Sequence, residues 1–88
     1  MQSYSFFALY HLQRSELNDA VNILKEGIVN FPTQSALHHN LGYFYSLQGD
    51  ILSALNSYYD ALYYEKSDDV IKDIQVQIME LRKSLKNR

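Results

Sequence analysis

Helix-interrupting residues recur along this chain at intervals of about 17, at Ser15, Pro32, Gly49-Asp50 and Ser67-Asp68-Asp69. The stretches between them run for roughly 13–16 residues with few β-branched runs, enough for about four helical turns each. Ser15, Thr33, Asp50 and either Asp68 or Asp69 stand where a side-chain oxygen can cap the helix that follows. The pattern predicts an all-α chain of five helices. Turns of only about two to four residues oblige neighbouring helices to run antiparallel.

The apolar residues agree with that division. Leu17, Ala20, Val21, Leu24 and Ile28 recur at i, i+3, i+4 and i+7, the spacing of one buried helix face. From Ile51 to Tyr64 the apolar arc is wider, with Leu52, Ala54, Leu55, Tyr58, Ala61 and Leu62, and such a helix packs against two neighbours. Ile71, Ile74, Ile78, Leu81 and Leu85 alternate at spacings of three and four, a narrow seam of coiled-coil type.

The two halves of the chain match when one is slid over the other by 34 residues. Ala20/Ala54 and Asn22/Asn56 are identical. Chemical class is kept at Phe7/Leu41, Ala8/Gly42, Tyr10/Phe44, Leu17/Ile51, Val21/Leu55, Gly27/Ala61 and Ile28/Leu62. A two-helix unit of this period, with small residues where helices cross, resembles the tetratricopeptide repeat. In the second unit the pattern residues fall on His38, Leu41, Gly42, Tyr45, Ala54, Tyr58 and Ala61; in the first, on Tyr4, Phe7, Ala8, His11, Ala20, Leu24, Gly27 and Pro32. The stretch Asn40-Leu41-Gly42-Tyr43-Phe44-Tyr45 followed by Gln48-Gly49-Asp50 is the part most similar to the family pattern. Lys66 stands where a closing Pro would be, and Lys72 and Gln75 occupy places that a third repeat would fill with large apolar residues. The resemblance therefore implies two repeats, 1–34 and 35–68, stacked as a short right-handed α-solenoid and closed by a capping helix over 69–88.

Several function classes are set aside by composition. At 88 residues the chain is a single small domain, 47% apolar and 20% charged. It has no cysteine, which excludes disulfides and thiol chemistry. Its net charge of −2 argues against a nucleic-acid binder. Residues 1–69 carry three basic against eight acidic side chains, whereas 70–88 carry five basic (Lys72, Arg82, Lys83, Lys86, Arg88) against Asp73 and Glu80. Cations late in a final helix complement its unpaired carbonyls. No apolar run reaches the ~18–20 residues of a membrane span, and Met1-Gln2-Ser3-Tyr4 lacks a charged signal-like start, so a cytoplasmic protein is expected.

Nothing in the residues points to catalysis, to a cofactor or to a metal. His38 and His39 are adjacent, so they project about 100° apart on a helix and cannot share an ion; His11 is remote in sequence. A zinc site needs three or four convergent ligands. Gly27, Gly42 and Gly49 lack phosphate-cradling spacing. Asp68 and Asp69 read as helix-start residues. Of the eight tyrosines, Tyr45 and Tyr58 fall on packing positions, and the pairs Tyr58-Tyr59 and Tyr63-Tyr64 cannot each turn both rings inward.

What remains is binding. The resemblance implies a concave groove lined by the first helix of each repeat: Gln2, Ser5, Leu9, Leu12 and Gln13, then Ala36, His39, Tyr43, Ser46 and Leu47. Family members that hold acidic C-terminal tails carry Lys, Arg and Asn at places that here are Ser5, Leu9, Asn40, Val70 and Ile74, and only Asn40 fits. An apolar peptide or helix is the expected occupant. A second expectation is a homodimer through the terminal helices, with Ile71, Ile74, Ile78, Leu81 and Leu85 as its seam. A third is that the chain is an excerpt of a longer array, which would account for Phe6 and Tyr10 having no preceding repeat to cover them.

Overall fold

Pro32 fixes the first corner of the molecule. In the computed structural model, which describes residues 14–86, helix α1 (Arg14–Asn30) ends there and α2 (Ser35–Leu47) begins three residues later. The Gln34 N–H donates to the Phe31 carbonyl at 3.3 Å, closing a turn whose second position is Pro32, where its locked φ is already suitable. Because the turn occupies Pro32 and Thr33, the position preceding α2 falls to Gln34, which makes no side-chain cap bond. The cap expected from Thr33 is therefore absent. The first helix expected from the sequence lies on residues outside the described ones. Among the described residues there are four helices and no strand, where five helices were expected for the whole chain.

The second corner is a Schellman turn. Asp50 N–H donates to Tyr45 O and Gly49 N–H to Ser46 O, each at 3.0 Å, and Gly49 sits at φ 82°. Asp50 then caps α3 (Ile51–Tyr64), its carboxylate accepting from Ser53 N–H at 3.3 Å. The third corner, residues 65–67, is tied by Glu65, whose Oε2 accepts from the backbone of Lys66 and of Ser67. Helix α4 (Asp68–Lys86) takes its first backbone bond at the Ser67 carbonyl, from Ile71 N–H at 2.9 Å. Asp68 and Asp69 consequently lie inside the first turn, where negative charge faces the positive end of the helix, and Lys83 and Lys86 occupy the last turn.

The helices pack in chain order, α1 on α2, α2 on α3 and α3 on α4. The wide apolar arc of α3 serves both of its neighbours. Ala54 and Ala61 are completely buried, Tyr58 nearly so, and Ile51 and Leu55 join them in one cluster with Ile74 and Ile78 of α4. Burying one isoleucine fully contributes about 1.5–3 kcal/mol, so Ile74 alone is a large part of what holds α4 in place. Leu17 and Val21 of α1 and Leu41 of α2 complete the buried apolar set among the described residues.

Small residues set the α2–α3 distance. A Cβ built on Gly42 would stand 2.9 Å from Cδ1 and Cε1 of Tyr58, closer than non-bonded carbons come. The counterpart on α1 differs: a Cβ on Gly27 would meet the Leu37 methyls at an ordinary 3.5–3.6 Å. Of the two helical glycines, Gly42 alone stands where a Cβ would not fit without movement.

Candidate functional site

Helix α2 is buried along His38, Leu41 and Gly42, and its opposite face is open. Tyr43 is 43% exposed and Leu47 41%, with Ala36 exposed on the same side. These belong to the groove expected from the sequence. Ser46, half-buried, donates to the Tyr43 carbonyl at 2.6 Å, so its hydroxyl is engaged within its own helix. Gln2, Ser5, Leu9, Leu12 and Gln13, the other half of that groove, lie outside the described residues.

His39 marks the edge of the open face. Its Nε2–H donates to Gln77 Oε1 of α4 at 2.9 Å, and its ring meets Tyr58 edge-on with centroids 5.6 Å apart. Tyr58 itself lies against Gly42, on the buried side of α2. Burial pushes its phenol above the usual tyrosine range; the nearby Ser46 hydroxyl opposes that rise and the nearby Tyr43 adds to it.

The contact between His39 and Gln77 brings α4 to one side of the open face, which reasoning from α2 alone missed. Asp73 and Glu80, four residues before and three after Gln77, share its helix face and are exposed. Two short corners make α2 and α4 run the same way. Asp73 therefore lies toward the Ala36 end of α2, and Glu80 toward the Tyr43 end. Asp73 and Glu80 set exposed carboxylates along the α4 side of this face, whose α2 residues carry no formal charge. The signal for this was a Gln in a polar stretch of α4, with nothing to link it to a histidine 38 residues earlier.

The neighbouring His38 serves the fold. It is 7% exposed, donates through Nε2–H to the Pro32 carbonyl at 2.9 Å, and stacks on Tyr64 at 5.3 Å. Ser35 Oγ–H donates to Glu65 Oε1, linking the start of α2 to the α3–α4 corner. That bond, with the backbone donors of Ser67 and Lys66 and the proximity of His39, holds the Glu65 carboxyl below its ordinary range; partial desolvation acts in the opposite direction.

The five seam residues of α4 face inward. Ile74 is fully buried and Ile78 5% exposed against α3 of the same chain, and Ile71, Leu81 and Leu85 are half-buried. A shallow depression of about 450 Å³ adjoins the Leu47 end of the open α2 face, between Leu17 and Asn18 of α1 and Leu47, Gln48 and Asp50. Its walls are bridged by Gln48 Nε2–H donating to Asn18 Oδ1 at 2.6 Å. Among the described residues, no three His, Cys, Asp or Glu side chains gather as metal ligands, and no helix is long and apolar enough to cross a membrane.

Comparison of the chain with models of known protein families, with curated proteins and with solved structures finds no match in any of the three.

Proposed function

We infer that the chain is a protein-interaction module of the tetratricopeptide-repeat kind. On this reading its helices stack as a short right-handed solenoid, α4 closes the array, and α2 offers its open face to an apolar or amphipathic segment of another protein. The observation that carries it is the pairing of Tyr43 and Leu47 on one helix face, both over two-fifths exposed. A rigid aromatic beside an aliphatic residue is a good anchor site, since two χ angles are all that ordering a tyrosine restricts. Helix-in-groove recognition uses such faces. No catalytic, cofactor or metal role is assigned to any residue, and the protein is placed in the cytoplasm.

The test is binding of a panel of amphipathic helical peptides to the full chain at high dilution. The double substitution Tyr43→Asp, Leu47→Asp should weaken the best binders by about tenfold or more, equivalent to roughly 1.4 kcal/mol. Tyr63→Ser, at an 82% exposed side chain of α3, should leave them unchanged. Peptides held equally well by all three chains, or by none, would reject the reading.

A further inference from the structure

Helix α4 has three distinct faces. One is the buried seam; a second is the acidic flank of Asp73 and Glu80 beside the open face of α2. The third points to solvent and carries Val76 and Met79, 53% and 64% exposed, with Lys72 one turn before them and Lys83 one turn after. Lys72, Val76, Met79 and Lys83 are spaced i, i+4, i+7 and i+11, so they form a single stripe. That stripe is apolar at its centre and basic at its ends. The α2–α4 face offers the complement, with Tyr43 and Leu47 on one wall and two carboxylates about 10.5 Å apart on the other.

We propose that the α2–α4 face is an assembly surface whose occupant is the α4 stripe of a second copy of this chain. The contact is head-to-tail: Val76 and Met79 of one copy lie against Tyr43 and Leu47 of the next, and the lysine at one end of the stripe falls between Asp73 and Glu80. Charge complementarity selects this arrangement over a two-fold one. Two α4 stripes laid antiparallel about Val76 and Met79 would set Lys72 level with Lys83 of the copy. The net charge of −2 opposes the approach of copies only weakly. Each bound copy presents a fresh surface, so the assembly grows without closing. The inference rests on the proposed binding role of the α2 face and names what fills it when no other segment does.

The experiment is the absolute mass of the full chain by light scattering over a roughly hundredfold concentration range at low salt. The mass should climb from 10.3 kDa past twice that value without a plateau. It should return to the monomer in about 1 M sodium chloride, where the Debye length is only about 3 Å. Asp73→Lys with Glu80→Lys, and separately Lys72→Glu with Lys83→Glu, should each give a monomer. Mixed in equal amounts, these two chains should again grow past the dimer in alternation, because the reversed charges make the stripe of each complementary to the face of the other. Circular dichroism of each chain confirms that it is folded, and Met79→Asp gives a second chain lacking only the stripe. A constant 10.3 kDa, a plateau at the dimer, or a mixture that stays monomeric overturns the proposal. Peptide binding that still depends on Tyr43 and Leu47 would then leave the interaction role standing and reject the self-assembly alone.

Discussion

At the scale of the residue, three glycines that look alike in the sequence do different work. Gly42 is required by contact: its missing Cβ is the space that the Tyr58 ring fills. Gly42→Ala should therefore destabilise by about 1–3 kcal/mol despite alanine's better helix propensity. Gly27 has room for a methyl group beside Leu37, so Gly27→Ala should stabilise by about 0.4–1 kcal/mol, mainly by restricting the unfolded chain. Urea titrations of the two variants should move the midpoint in opposite directions; a shift of the same sign in both would show that the Tyr58 contact does not decide. Gly49 is required by its backbone alone, since nothing lies within 4 Å of a Cβ there but φ is 82°. The 34-residue match places all three at repeat or turn positions, but spacing cannot reveal which neighbour fills the gap. That depends on whether the facing side chain is a ring lying flat, as at Tyr58, or the flexible end of a leucine, as at Leu37.

At the scale of the element, helix positions were legible and their ends less so. The apolar spacing marks Leu17 and Val21, the wide arc of α3 and the seam of α4, because burial repeats with the helical period. Asp50 was readable as a cap because Gly49 stops the preceding helix immediately before it. Thr33 was misleading: the turn begun at Pro32 consumes it, and α2 starts after Gln34. Least visible was Glu65, a corner residue that binds the start of α2 through Ser35, 30 positions away. This link has a pH signature. Its carboxyl titrates lower in the folded chain than the reference value of 4.5, so its stabilisation is complete above that pH and is lost as pH falls through the folded value. Between neutral pH and about pH 3, the wild-type urea midpoint should fall further than that of Glu65→Gln. Parallel decline of the two chains would mean that the Ser35–Glu65 tie adds nothing.

At the scale of the whole molecule, α4 is the wall that completes the core, since Ile74 and Ile78 cover the α3 residues Ile51, Tyr58 and Ala61. A domain this small has a stability of only several kcal/mol, and Ile74→Ala should remove about 2–5 of them. A chain ending at Ser67 should lose cooperative melting altogether, read by circular dichroism; a sharp transition surviving the truncation would show that α1–α3 hold together unaided. The proposed binding face was only half legible for a related reason. Its α2 wall follows from repeat positions, but its acidic wall depends on where α4 docks, and the His39–Gln77 bond sets that. The chain-order packing also bears on how the molecule behaves in time and under load. Substantial packing joins each helix to the next in sequence, so little chain has to be brought together from afar, and such topologies fold in microseconds to milliseconds. Drawn out by a tether on its last residues, the molecule should yield α4 first, and α1–α3 should then give way at little further force, because the core loses Ile74 and Ile78 with that helix.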